Sequence, residues 1–164
     1  MILKFVYTLF LGILFALLVG VGIAAFYTEP TSPEYPSSLS IKQAPSTVLP
    51  VATKSAEYQK QQEKYDAEFK EFRKVQEVYN RNVSIIAVII AVLVVVLSLT
   101  LLKQLLFIAD GLLIGGVLTL IYSIVRGFDA GDAKFRFVVV VVGFIVVLTV
   151  GYIKFVKSSI SSQS

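Results

Sequence analysis

Apolar residues run almost unbroken over four stretches of this chain, and everything else is arranged around them. Residues 2–27 (ILKFVYTLFLGILFALLVGVGIAAFY) are apolar apart from Lys4 and Thr8. At about 1.5 Å rise per residue this run is long enough to cross a hydrocarbon layer roughly 30 Å thick. Residues 83–102, about 105–125, and 137–156 repeat the pattern, the last closing with Tyr152 and Lys154 at the position of an interfacial belt. The expected architecture is an all-α integral membrane protein with four transmembrane helices. Its domains are a first, signal-anchor-like span over 1–27, a linker over 28–52, an amphipathic helix over 53–82, a three-helix membrane region over 83–157, and a disordered tail over 158–164. The first run exceeds the core of about 7 to 15 residues usual in a secretory signal, which favours an uncleaved anchor.

Polar positions follow two different rules between the first and second spans. Residues 28–52 hold all five prolines, at 30, 33, 36, 45 and 50, among many Ser and Thr. Proline lacks an amide hydrogen and disfavours helix in the residue before it, so this reads as an extended spacer. It has no P-x-x-P flanked by basic residues and is assigned no binding role. Residues 53–82 contain neither Gly nor Pro and many helix formers, with Thr53 or Ser55 as cap and Asp66–Lys70 and Glu77–Arg81 as i,i+4 pairs. Tyr58, Tyr65, Phe72 and Tyr79 recur every seven residues, each followed four residues later by Gln62, Phe69, Gln76 or Val83. This is a heptad-like, coiled-coil-like seam with aromatics at d. No breaker separates it from the second span, so the two form one helix of about 48 residues, a stalk on the order of 70 Å long. The residues expected to carry stalk association are Tyr58, Tyr65, Phe69, Phe72 and Tyr79; the alternatives for this stripe are folding back on the linker and lying at the headgroup level.

Small residues mark a second kind of contact. Gly12, Ala16, Gly20 and Ala24 in the first span, and Gly111, Gly115, Thr119 and Ser123 in the third, recur every four positions. Rows of this kind let helix backbones approach closely in lipid, and the two rows are expected to face each other. Asp110 heads the second row. If the chain turns at Lys103–Gln104, Asp110 lies inside the third span and is a functional candidate; if it turns at Asp110–Gly111, the carboxylate sits at the rim, beside Lys103. The rim position is the expectation.

Composition narrows the chemistry. The chain has 164 residues, 56% hydrophobic, with no Cys and no His, and a mean hydropathy of +0.80. Thiolate and imidazole metal sites, Cys–His catalysis and Ser–His–Asp triads are therefore excluded. Ser84, Ser98 and Ser123 have no base, and no catalytic residue, cofactor site or small-molecule substrate is evident. Asp129 and Asp132 fall short of the oxygens calcium needs and read as turn residues, so no metal is expected. The net charge of +4 comes from cations flanking the spans, which suits lipid headgroups rather than nucleic acid. Lys4 before the first span and Glu29 and Glu34 after it put both termini on the cytoplasmic side of the cell membrane. The overall count opposes this, with Lys70, Arg73, Lys74, Arg81, Arg126, Lys134 and Arg136 against Lys4, Lys103, Lys154 and Lys157. These features point to a non-enzymatic membrane subunit whose partners are the bilayer and either its own copies or another membrane protein. The alternative is a small transporter or oligomeric channel using Asp110.

Overall fold

Long apolar runs without proline satisfy their backbone polar groups internally as helices, the arrangement that hydrocarbon demands. The computed structural model describes residues 2–37, 51–100 and 106–156. Helix α1 covers Ile2–Phe26, α2 Val51–Thr100, α3 Leu106–Phe128 and α4 Ala133–Gly151, the last followed by a π-helical turn at Tyr152–Val156. Each of the four is long and apolar enough to cross a membrane. The chain is an all-helical, multi-pass membrane protein. It divides into two units, one of Met1–Thr28 with Val78–Ser164 and the other of Glu29–Glu77.

Within the first unit α3 lies at the centre. Leu11 rests on Gly111 and Phe15 on Gly115, so α1 and α3 run in the same direction. Ser84 meets Ser123 while Ser98 meets Ala109, which makes α2 antiparallel to α3. Val139 lies by Gly127 and Ile124 by Gly143, so α4 is antiparallel to it as well. The apolar core is built from Val19, Ile23, Tyr79, Val83 and Ala87, with Phe15, Tyr27, Ile90 and Tyr122 against it. Outward faces of α1 and α4 are large and apolar, Phe10, Leu14, Phe137 and Phe144 among them, as lipid contact requires.

The α3–α4 turn is made by the expected residue types. Gly131 adopts φ 74°, a conformation that costs a side chain energy and glycine little. Asp132 caps α4, its carboxylate accepting the backbone N–H of Lys134 at 2.9 Å.

Several boundaries differ from the sequence reading. The chain does not turn at Asp110–Gly111: both residues are helical, one turn into α3, and Gly111 is buried under Leu11. Turning there would have opened the α1 contact. Helix α2 is already formed at Val51, ahead of Thr53 and Ser55, so neither is its cap. The helix runs unbroken through Asn80–Asn82, as a stalk continuous with the second span requires. An ion pair on its polar surface joins Lys64 and Glu68 at 3.8 Å. Lys103, Gln104 and the tail from 158 onwards lie outside the described residues.

Candidate functional site

A row of small residues spaced by four does not stay on one face of a helix. Four residues advance about 400°, so the row turns by about 40° per step. On α1 this separates the row into two parts. Gly12 faces α3 so closely that a Cβ there would lie 2.7 Å from Ile114 Cγ2 and 3.0 Å from the Gly111 carbonyl oxygen. Ala16 is half-buried, a Cβ at Gly20 would meet nothing within 4 Å, and Ala24 is exposed. The buried stripe of α1 is instead Thr8, Gly12, Val19 and Ile23.

On α3 the same rotation is used fully, because three helices surround it. Gly111 and Gly115 face α1, where a Cβ at Gly115 would lie 2.9 Å from Phe15 and 3.1 Å from the Gly12 carbonyl oxygen. Thr119 is buried and its hydroxyl donates to the Gly115 carbonyl at 2.8 Å. Three steps of about 40° bring Ser123 round to α2. There Ser84 Oγ donates to the Ser123 carbonyl at 2.9 Å and Ser123 Oγ donates to the Ser84 carbonyl at 2.8 Å. Ser98 Oγ donates to the Ala109 carbonyl further along. The hydroxyls screened above as possible nucleophiles are thus committed to helix pairing, each worth roughly 0.6 kcal/mol in a membrane.

The two ends of this unit carry its polar chemistry. At one end the Lys154 ammonium donates to Asp110 Oδ1 as an ion pair, and the Lys4 ammonium lies 4.6 Å from the Phe107 ring centroid. The π turn carries Lys154, so Asp110 has a partner 44 residues away that no local spacing announces. At the other end Tyr27 and Tyr79 stack with centroids 5.0 Å apart. Tyr79 donates to the Tyr27 carbonyl at 3.2 Å, and the Asn82 amide donates to the Tyr27 hydroxyl at 2.8 Å. Arg126 donates to Asn80 Oδ1 at 3.0 Å, and its guanidinium carbon lies 5.8 Å from the ring centroids of both Tyr79 and Tyr122. Tyr79 therefore belongs to the packed span, not to an open stalk face, and Asn80, Tyr122 and Arg126 were missed by the sequence reading. Their signal was present: aromatic and amide residues gathered where two spans end.

The second unit holds the remaining seam residues. Tyr65 and Phe69 stack at 5.9 Å between ring centroids and Phe69 meets Phe72 at 6.0 Å, while Tyr35 packs edge-on against Tyr65 at 5.1 Å. Phe69 keeps 37% of its surface exposed, and Tyr58, Tyr65 and Phe72 are half-buried. Among the described residues no cluster of three or more Asp or Glu side chains is placed to hold a metal ion. The chain matches no protein-family model, no curated protein and no solved structure.

Proposed function

We propose that this protein is a non-enzymatic subunit of the cell membrane, structural or assembly in role, that associates with its own copies or with another membrane protein. The observation that supports this most directly is the ring ladder Tyr65–Phe69–Phe72 on α2, outside the apolar part of the helix that packs on α3. The membrane core does not need those rings, and Phe69 is left partly bare. Aromatic side chains that present large area with few rotors are typical anchors of protein contacts. The half-row Gly20 and Ala24 on α1, turned away from α3, adds a second surface where another helix backbone can approach. The bilayer is the other partner; no nucleic acid and no small-molecule substrate enter this reading.

The test is the double substitution Phe69→Ser with Phe72→Ser, followed by native gel electrophoresis or mass photometry of the protein extracted in mild detergent. Loss of a higher-mass species is expected. An unchanged mass distribution, with the protein inserted and abundant, counts against the proposal. The transporter or channel reading rests on Asp110 alone, and the ion pair with Lys154 supplies a structural reason for that carboxylate.

A further inference from the structure

The segment before the second unit's helix carries a period that matches the seam. In Glu29–Pro36 (EPTSPEYP) three prolines stand at every third position. Each has a fixed φ, and Glu29, Ser32 and Tyr35 are held extended because a proline follows them. Exposure along this strap has the same period: Pro30, Pro33 and Pro36 are half-buried, while Glu29, Thr31, Ser32, Glu34 and Tyr35 are exposed. A period of three is that of polyproline II, which rises about 9.3 Å in three residues. On α2 the half-buried positions in the same unit include Tyr58, Tyr65 and Phe72, at a period of seven, or about 10.5 Å along the helix. The two repeats are nearly commensurate, and Tyr35 against Tyr65 fixes where they meet.

We propose that Tyr58, Tyr65 and Phe72 form a proline-reading face on α2 and that the chain's own Pro30, Pro33 and Pro36 are its resident ligand. Flat aromatic rings at regular spacing are the surface that polyproline helices dock on elsewhere, since the ligand is already extended and loses little entropy on binding. The strap is joined to the helix through residues 38–50, so its effective concentration at the face is on the order of millimolar. Any partner must displace it or dock beside it at Phe69. This deepens the association reading above and rests on it for its consequence, though the contact itself does not.

The experiment uses the full chain in detergent micelles and a fluorescein-labelled peptide of residues 29–36. The peptide should bind the triple variant Pro30→Ser, Pro33→Ser, Pro36→Ser at least tenfold more tightly than the unaltered chain. Adding Tyr65→Ser to that variant should return the affinity to the unaltered level. A peptide that binds neither protein, or both equally, or ignores Tyr65→Ser, overturns the proposal. A second measurement does not depend on proline loss: with no native cysteine, Tyr35→Cys with Tyr65→Cys should join within one chain under a short bismaleimide. Joining between two chains, or none, overturns the resident ligand. The association reading fails separately, when Phe69→Ser with Phe72→Ser leaves the oligomeric state unchanged while the peptide results hold.

Discussion

Asp110 shows how a single side chain changes meaning with its surroundings. A lone carboxylate one turn into a membrane helix is costly and reads as functional, but Lys154 reaches it from the end of α4 and neutralises it. Side chains of both partners keep more than a third of their surface exposed, so screening limits the pair to about 0–1 kcal/mol. Asp110→Asn is therefore expected to lower stability by no more than about 1 kcal/mol, because the amide still accepts from Lys154, and to leave ion flux into proteoliposomes unchanged. A variant that folds and inserts normally but abolishes a flux seen in the parent would restore the transport reading. The pairing was illegible in the sequence because its partners are 44 residues apart and are joined only by the α3–α4 packing. The Ser84 and Ser123 pairing was hidden for the same reason, although both residues stood out as polar groups inside apolar runs. Their reciprocal bonds to each other's carbonyls leave neither hydroxyl proton for other work.

Helices and their spacing rules were the most legible level. Four spans, an uninterrupted α2 and two small-residue rows follow from periodicity and the absence of breakers. Which part of a row is used does not follow, since it depends on how many neighbours a helix has. A row that turns about 40° per step leaves a single interface within three or four residues unless a second helix waits there. On α1 the row separates, Gly12 staying against α3 while Val19 and Ile23, not Gly20 and Ala24, take the contact with α2; α3 has three partners, and Gly111, Gly115, Thr119 and Ser123 all stay buried. The two halves of the α1 row should consequently differ on substitution. Gly12→Ala and Gly115→Ala place a methyl about 3 Å from a backbone oxygen that cannot yield and should destabilise by about 1–3 kcal/mol. Gly20→Ala meets empty space and should be neutral in monomeric micelles, measured by steric trapping or detergent-denaturant unfolding. Equal losses at Gly20 and Gly115 would show that the packing assigned to α1 and α3 is wrong. The prolines were read by composition as a spacer, without use of their period of three, which the exposure along Glu29–Pro36 shares.

At the level of the whole molecule the chain leaves the membrane unit after Thr28 and re-enters it at Val78, and next to those boundaries the rings of Tyr27 and Tyr79 stack. Residues 29–77 are thus an excursion in the sequence between Thr28 and Val78, and the Tyr27–Tyr79 end of the span unit is where Arg126 is held by Asn80 and the tyrosines. Within the span unit, Tyr79 and the Asp129–Asp132 turn lie at the Arg126 end and Lys4 with Lys154 at the Asp110 end. Two charge signals disagree about which side is cytoplasmic. The first span has Lys4 before it and Glu29 and Glu34 after it, whereas the larger set of Lys and Arg lies with the excursion. The fold engages one cation from each side of the larger count, Lys154 with Asp110 and Arg126 with Asn80 and two rings, and so leaves its balance unchanged. The first span usually sets orientation as it emerges, and on that ground the orientation we propose has residues 29–77 outside. A single cysteine reports this cleanly in a chain that has none. A membrane-impermeant maleimide should label Asp129→Cys on intact cells, and Ser162→Cys only after permeabilisation. The reverse pattern would mean that the Lys and Arg beside the excursion govern insertion, and the partner of the Tyr65–Phe69–Phe72 ladder would then have to be sought in the cytoplasm.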